Sequence, residues 1–343
     1  MEFNKESFNQ IYVSYFKSFT GKESCEMAVS RVLNGIRSDY FKSAVENVRL
    51  YRESNPDLSK QYKSSLHAVT FCGLFPNERK QGSCTQYNNL LVIDIDHLES
   101  DKFYEVYDSL MQDPYVAAFW ESPSGRGYKG LIHLNYKENT LDFDVKTRHK
   151  IAFRQIYIYL LSTYGIDLDR SGSDISRLCF MSWDPNIVIK DRSKAFEVDD
   201  NPMPDKSVGV SSNEKSSDKK KSSEYETKLK VLDWKHVYGL SGFPQNSEYR
   251  FKLANIYKKL SKRGISITDT YENWVKVAFA IASTIHPTKG KELFLNLCRL
   301  DGIKHDEAKS ERLIFDAYSR NTRKVNFGTI IYLARQKGLN ITS

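Results

Sequence analysis

The sequence has few cysteines, and their spacing forms no recognisable framework. Five cysteines are scattered over 343 residues, and no C-x-x-C pair occurs. An odd, dispersed set excludes a disulfide scaffold and argues against a structural zinc site. We therefore expect ordinary thiols in a reducing compartment.

Long apolar runs are also missing. No stretch approaches the ~20 apolar residues that a membrane-spanning helix needs, and MEFNKESFNQ at the N-terminus contains no signal-peptide core. The sequence thus predicts a cytoplasmic protein with no membrane partner. Acidic residues are fewer than basic ones. The sequence has 51 Lys and Arg against 43 Asp and Glu, and the resulting net charge of +8 favours a polyanionic partner.

One segment, residues 201–226, lacks large apolar side chains almost completely and is rich in Ser and Lys. Such a composition cannot bury enough surface to offset its ordering entropy, so it predicts a flexible linker. Residues 1–200 mix helical stretches, which dominate to about residue 60, with interleaved strands and helices. Residues 227–343 have helical periodicity throughout. The predicted fold class is α+β, with a separate all-α C-terminal domain.

Two segments after the linker have the sequence signals of helices. Trp274, Val277 and Ile281 recur at helical spacing, behind a candidate N-cap at Ser266 or Thr268. The later segment TIIYLARQKG ends in basic residues and a glycine, as helix C-termini do.

The segment SPSGRGYKGLIHL, residues 122–134, has G-x-G-x-x-G spacing. In a dinucleotide-binding fold these glycines join a strand to a helix, whereas here VAAFWES and LIHLNY predict strands on both sides, and therefore a β-hairpin. A Walker motif is excluded because Gly130 follows Lys129 where Ser or Thr would bind magnesium. The hairpin tip either cradles phosphate with Arg126, Lys129 and backbone N–H groups, or is an exposed turn whose glycines supply positive φ.

The segment LLVIDIDHL, residues 90–98, predicts a buried strand that ends in two carboxylates. Asp94 and Asp96 would share a face of that strand, ~6.6 Å apart, and two full charges there repel by about 2.5 kcal/mol at an effective dielectric of ~20. A divalent metal held by oxygen ligands would remove this repulsion. The alternative is a solvated strand end where the acids are incidental.

A D-x-D pair after an apolar strand serves several enzyme classes. Haloacid-dehalogenase-type phosphatases usually continue with Gly-Thr near the start of the domain, whereas His97 follows here and some ninety residues come first. Nucleotidyltransferases use such a pair to hold two metal ions, and they need a third carboxylate and a basic group. Asp169 and Arg177, in IDLDRSGSDISRLCFMSWDPN, supply candidates for both.

Four segments in this order resemble the archaeo-eukaryotic primase superfamily, the primase-polymerases, and within it the VirE N-terminal-type branch found on bacterial mobile elements. They are HAVTFCGLF, LLVIDIDHL, SPSGRGYKGLIHL and DLDRSGSDISRLCFMSWDP, and together they cover most of residues 60–190. The resemblance implies an RRM-like catalytic core, followed by a helical domain of the primase C-terminal type.

The resemblance also implies roles for individual residues. Asp94, Asp96 and Asp169 would be the catalytic acids and the ligands of two Mg²⁺ or Mn²⁺ ions, with Asp167 as the fallback for Asp169. Residues of the glycine segment would bind the triphosphate of an NTP or dNTP: Ser122, Ser124, Gly125, Arg126, Gly127 and Lys129.

Three basic residues carry open questions. Lys129 stands where many primase-polymerases have a histidine, and a lysine is a point charge suited to phosphate. His133 lies further along the same predicted strand, between Ile132 and Leu134, and we expect it to pack or to face away from the site. Arg177 would either bind a phosphate or pair with Asp174 and brace the loop.

The implied activity is that of a DNA primase-polymerase: template-directed nucleotidyl transfer, for primer synthesis or extension on single-stranded DNA. The sequence contains no helicase-type P-loop, so an unwinding partner or mobile-element protein would be a separate chain. Basic residues of the C-terminal domain offer a phosphate-tracking surface: Lys289, Lys291, Arg320, Arg323 and Lys324. Two alternatives remain, a non-catalytic single-stranded-DNA-binding replication or mobilisation factor, and a metal-dependent phosphatase or nuclease.

Overall fold

The computed structural model describes residues 2–21, 23–199, 232, 234–239, 247–302, 305–320 and 324–341. The predicted linker, residues 201–226, lies outside this part of the chain. Two compact units divide the chain: residues 1–157 with 166–201, and residues 158–165 with 202–343.

The first unit mixes strands with helices. Its strands are β1 (Glu2–Asn4), β2 (Tyr12–Phe16), β3 (Cys25–Ala28), β4 (Ala68–Thr70), β5 (Gly73–Leu74), β6 (Gln86–Tyr87), β7 (Leu90–Ile95), β8 (Val116–Glu121), β9 (Tyr128–Tyr136), β10 (Cys179–Phe180), β11 (Val188–Ile189), β12 (Arg192–Lys194) and β13 (Phe196–Val198). Its helices are α1 (Val29–Arg37), α2 (Lys42–Ser54), α3 (Pro56–Ser65) and α4 (Ser100–Gln112), and α5 (Val145–Tyr164) begins within it.

The first 60 residues contain strands as well as helices. Helices α1, α2 and α3 follow one another from Val29, but β1, β2 and β3 precede them. β2 pairs antiparallel with both β3 and β4, in a four-stranded sheet of order β10–β4–β2–β3. Its sequence, YVSYF, has the β-branched and aromatic side chains that suit a strand, and pairing with the distant β4 stabilises it there.

The second sheet carries the segments of interest. β7 and β8 lie on either side of β9 and are antiparallel to it, which confirms the predicted hairpin between β8 and β9. β11 extends the sheet beyond β8, and β13 pairs in parallel with the end of β9. All six residues of β7 are buried, as its apolar run predicts.

One hydrophobic core joins the two sheets and α1. Alternate residues of β7, Leu90 and Val92, point into it, as the two-residue period of a strand requires. It includes Val13 and Tyr15 of β2, Val69 of β4, Leu90 and Val92 of β7, Trp120 of β8, Leu131 of β9, and Val29, Val32 and Leu33 of α1. The opposite face of the second sheet contacts α4, where the ring of Phe103 lies 4.4 Å from that of Tyr128.

The described secondary structure of the C-terminal region, from residue 234 onward, is entirely helical. Its helices are α6 (Trp234–Gly239), α7 (Ser247–Arg263), α8 (Tyr271–Thr284), α9 (Pro287–Arg299), α10 (Glu307–Ser319) and α11 (Gly328–Gln336). The protein is therefore of mixed α+β class with a separate helical C-terminal region. Among the described helices, none has the length and apolarity to cross a bilayer.

Details of the helix ends differ from the sequence prediction. The cap of α8 is Thr270, whose side chain accepts a hydrogen bond from the Asn273 N–H, so the prediction of Ser266 or Thr268 is wrong. Those two residues instead bond to each other, since the Thr268 N–H donates to the Ser266 hydroxyl at 2.9 Å. The end of α11 agrees with the prediction, because Gly338 follows it with φ +78°.

Two of the cations predicted to track phosphate in this region, Lys289 and Lys291, have acidic neighbours. Lys289 lies 3.3 Å from Glu292, and Lys291 lies 2.5 Å from Glu311. Lys291 also sits 4.6 Å above the Trp234 ring. Arg323 lies outside the described residues.

Candidate metal centre

Asp94 and Lys129 face each other across the β7–β9 ladder. The register pairs Asp94 with Lys129 and Ile95 with Tyr128. Their side chains form an ion pair, and only 8% of Asp94 and 9% of Lys129 is exposed. The other carboxylate oxygen of Asp94, Oδ1, is buried and has no hydrogen-bond partner among the described residues. A buried acceptor of this kind is costly unless a ligand or water satisfies it.

Asp96 follows directly after β7 and is exposed. The glycine turn, residues 122–127, crosses the chain at this point: a Cβ on Gly127 would overlap the carbonyl oxygen of Ile95 and lie 3.2 Å from the Asp96 Cα. The Arg126 carbonyl also accepts a hydrogen bond from the Leu98 N–H at 2.9 Å. Gly127 is thus required because two backbones approach closely beside an acidic residue.

Asp169 reaches the same place from a distant part of the sequence. It is the N-cap of a short 3-10 turn, Arg170–Ser173, and its Oδ1 accepts the Ser171 N–H at 2.8 Å. Its own N–H donates to the Asp94 carbonyl at 2.8 Å. This backbone bond fastens the acid loop, residues 169–173, to β7.

The three predicted acids come together. One carboxylate oxygen from each of Asp94, Asp96 and Asp169 lies within 4.8 Å of the others, and this is the one such group of three metal-ligating side chains within the described residues. Oxygen ligands at this spacing suit a hard divalent cation. The acids could hold a metal ion, and the orphaned Oδ1 of Asp94 fits that use. Asp167, the fallback, is exposed and accepts a hydrogen bond from the Tyr157 hydroxyl at 3.0 Å instead.

Charges shift the proton affinities within the cluster. Burial raises the pKa of Asp94, the ammonium of Lys129 lowers it, and the carboxylate of Asp96 raises it again, so that the net direction is upward. Burial by itself would lower the pKa of Lys129, but Asp94 outweighs it and holds the lysine in its charged form. A cation beside these acids would favour the ionised carboxylates.

The pKa of Asp169 moves the other way. Burial would raise it, but the hydrogen bond from the Ser171 N–H and the charges of Arg177 and Lys129 outweigh burial and lower it. Arg177 is exposed and acts on the cluster through its charge. Asp174, its alternative partner, accepts a hydrogen bond from the Ser176 N–H at 2.9 Å.

The glycine turn is closed by its own backbone. The Ser122 N–H donates to the Gly127 carbonyl at 2.8 Å, and the Gly125 N–H donates to the Ser122 carbonyl at 2.9 Å. Gly125 has φ +67°, a conformation that favours glycine. The hydroxyls of Ser122 and Ser124 lie 3.1 Å apart.

Two arginines of α2, absent from the predicted site residues, bind the backbone of this turn. Arg52 donates to the Ser124 carbonyl at 2.6 Å, and Arg49 donates to the Ser122 carbonyl at 3.3 Å. Arg126 extends from the turn to Glu53 of the same helix, at 3.2 Å. Arg49 and Arg52 are three residues apart, so they lie on the same face of α2, and this spacing was visible in the sequence. No local signal in the sequence, however, indicates which helix packs against the turn.

His133 packs, as the sequence analysis expected. Its ring stacks on that of Phe3 with centroids 4.5 Å apart, and burial lowers its pKa. It thus belongs to the packing of β9 and lies outside the acidic cluster.

Comparison with known proteins gives one partial match. Residues 61–188 match a protein-family model described as "BT4734-like, N-terminal domain". The match covers less than half of the chain, and it includes the three acids, the glycine turn and Lys129. No curated protein and no solved structure matches this chain.

Proposed function

We propose that this protein is a DNA primase-polymerase with an RRM-like catalytic core, which carries out template-directed nucleotidyl transfer on single-stranded DNA. The observation that carries the proposal is the convergence of Asp94, Asp96 and Asp169 beside Lys129 and the glycine turn. Acids and a cation at one strand end are the parts that two-metal phosphoryl transfer needs.

The three carboxylates would hold Mg²⁺ or Mn²⁺. When bound, two such ions activate the attacking hydroxyl and neutralise charge on the triphosphate. Asp94 contributes a buried oxygen and Asp96 an exposed one, so the cluster opens from the protein interior toward solvent. This difference in exposure suits a site in which the fold fixes one side and a substrate approaches the other.

The glycine turn and Lys129 would bind the phosphates of an NTP or dNTP. The ammonium of Lys129 stays charged because Asp94 raises its pKa. Arg126 lies exposed at the tip of the turn, where its partner Glu53 is also exposed. Exposed ion pairs are weak, so a phosphate can replace this carboxylate at small cost.

The remaining partners follow from this activity. The single-stranded template carries negative charge, which agrees with the net charge of +8. A helicase or a mobile-element protein would supply unwound DNA as a separate chain, and the cytoplasm would supply nucleotides.

The test is a primer synthesis and extension assay on single-stranded DNA with labelled NTPs or dNTPs and Mg²⁺ or Mn²⁺. Asp96→Asn and Asp169→Asn should each lower product formation by at least about a hundredfold, because each removes a charged metal ligand. Asp167→Asn is the matched control: it neutralises an exposed acid two residues from Asp169 but outside the cluster, and it should retain activity.

The outcomes separate the three functions. Ladders that persist in Asp96→Asn and Asp169→Asn would contradict the proposed site. Wild-type protein that makes no ladder yet binds single-stranded DNA would indicate the non-catalytic factor. Release of phosphate or nucleoside without a template requirement would indicate the phosphatase or nuclease.

A further inference from the structure

A buried histidine lies next to the acid loop and has no place in the chemistry above. His149 of α5 is fully buried. Its Nε2 lies 3.0 Å from the carbonyl oxygen of Gly172, and its Nδ1 lies 2.8 Å from the Tyr87 hydroxyl. The Tyr87 hydroxyl in turn lies 2.8 Å from that of Tyr136.

The chemistry of these partners fixes the direction of every hydrogen bond. A carbonyl oxygen can only accept, so Nε2 carries the proton and donates it to Gly172. Nδ1 of the neutral ring then accepts from Tyr87, whose oxygen accepts from Tyr136. The chain of donors therefore runs from Tyr136 through Tyr87 and His149 to Gly172. Burial lowers the pKa of His149 to about 4, which keeps the ring neutral near pH 7.

Gly172 is the point where the acid loop is held. Its N–H donates to the Asp169 carbonyl at 3.3 Å, so it closes the turn that Asp169 begins. A Cβ on Gly172 would lie 2.9 Å from the ring of Phe153 and 3.0 Å from the Val92 carbonyl oxygen. The loop therefore lies directly between α5 and β7, and His149 binds the Gly172 carbonyl from the α5 side.

We propose that His149 is a positioning residue for the acidic centre: its Nε2–H holds the Gly172 carbonyl and thereby sets where the Asp169 carboxylate meets Asp94 and Asp96. Asp169 then has two anchors, its own N–H on the Asp94 carbonyl and the His149 bond three residues later. The inference rests on the metal site of the proposed function. Side chains that orient metal ligands from behind typically change metal affinity 10–100-fold when removed.

The test measures Mn²⁺ affinity of the full chain by calorimetric titration, without nucleotide or DNA. His149→Phe keeps the ring volume but removes both nitrogens, and it should weaken Mn²⁺ binding by about tenfold or more. His149→Gln places an amide N–H near the Nε2 position, and it should restore affinity to within about threefold.

His67→Phe is the matched control. Nδ1 of His67 likewise lies within hydrogen-bond distance of a tyrosine hydroxyl, that of Tyr15 at 2.6 Å, but none of its hydrogen bonds reaches the acid loop. If loss of Mn²⁺ binding came from general destabilisation, His67→Phe would show it as well. We expect its affinity to equal that of the wild type in folded protein.

Each outcome decides the proposal. Wild-type Mn²⁺ affinity in folded His149→Phe would overturn it, as would equal losses in His67→Phe. Wild-type protein that binds no Mn²⁺ would overturn the metal centre and this inference together, whereas Mn²⁺ binding without primer synthesis would remove only the proposed reaction. If His149→Phe does not fold, Tyr87→Phe takes its place: it removes the hydrogen bond that holds the His149 ring at Nδ1, so Mn²⁺ binding should weaken, and unchanged affinity would overturn the proposal.

Discussion

The acidic centre has two halves that the protein supports in different ways. The strand half, Asp94 and Asp96 with Lys129, is fixed by the register of β7 against β9. The loop half, Asp169 on its 3-10 turn, belongs to no sheet and depends on single hydrogen bonds from β7 and α5. The three acids that could hold a metal ion are thus supported by different parts of the fold, so we expect their substitutions to differ in their effect on folding.

The largest expected difference is between Asp94→Asn and Asp169→Asn in metal-free protein. Asp94→Asn leaves the buried ammonium of Lys129 without its carboxylate, which should cost about 3–5 kcal/mol in the free energy of unfolding. Asp169→Asn keeps the Oδ1 that accepts the Ser171 N–H, so it should cost less than about 1 kcal/mol. Urea unfolding in EDTA measures both values, and Mn²⁺ titration should show weakened binding in both variants.

Lys129→Met tests whether the cost of Asp94→Asn comes from the unpaired ammonium. It removes the buried ammonium together with its need for a partner, so Asp94→Asn in the Lys129→Met background should cost much less than in the wild type. Equal costs in the two backgrounds would mean that the ion pair does not support the strand half.

The strand half was largely predictable from the sequence, because its signals are local. An apolar run ending in D-x-D predicted β7, and two strand patterns around glycines predicted the β8–β9 hairpin. The ion pair between Asp94 and Lys129 was not predictable, since it depends on a register between segments 35 residues apart. Pairing of distant strands also explains why β2 was missed: its neighbour β4 lies beyond three helices.

The loop half could be predicted only in part. The order of four segments pointed to Asp169, but nothing near Asp169 in the sequence points to His149 or Tyr87. These side chains come from α5 and β6, and RHKIAFRQ has the appearance of an ordinary helix. Supporting networks of this kind join residues that only the tertiary fold brings together.

The second prediction concerns pH and the loop half. The folded protein lowers the pKa of His149 from 6.5 to about 4 through burial, which the Gly172 carbonyl and the charge of Asp174 only partly oppose. The contribution of the neutral His149 ring to the free energy of unfolding is therefore fully present above pH 6.5 and is lost as the pH falls toward 4. By pH 5 the loss should reach about 2 kcal/mol.

His149→Gln isolates this effect, because the other titrating groups remain. The difference in unfolding free energy between wild type and His149→Gln should change by that amount between pH 7.5 and pH 5, in the direction that favours the variant at low pH. A difference independent of pH would show that His149 is not buried in its neutral form.

The last comparison adds one methyl group beside each half, and its smaller member has the smallest effect expected here. Gly127→Ala in the glycine turn would press a Cβ onto the backbone of Ile95, which cannot yield without moving the end of β7, and it should cost about 3 kcal/mol. Gly172→Ala meets the edge of the Phe153 ring and the Val92 carbonyl oxygen at 2.9 and 3.0 Å, so it should cost about 1 kcal/mol. Gly82→Ala is the control, because nothing lies within 4 Å of its Cβ. Urea unfolding that ranks Gly172→Ala as the costlier of the two would contradict the closer approach of the backbones at Gly127.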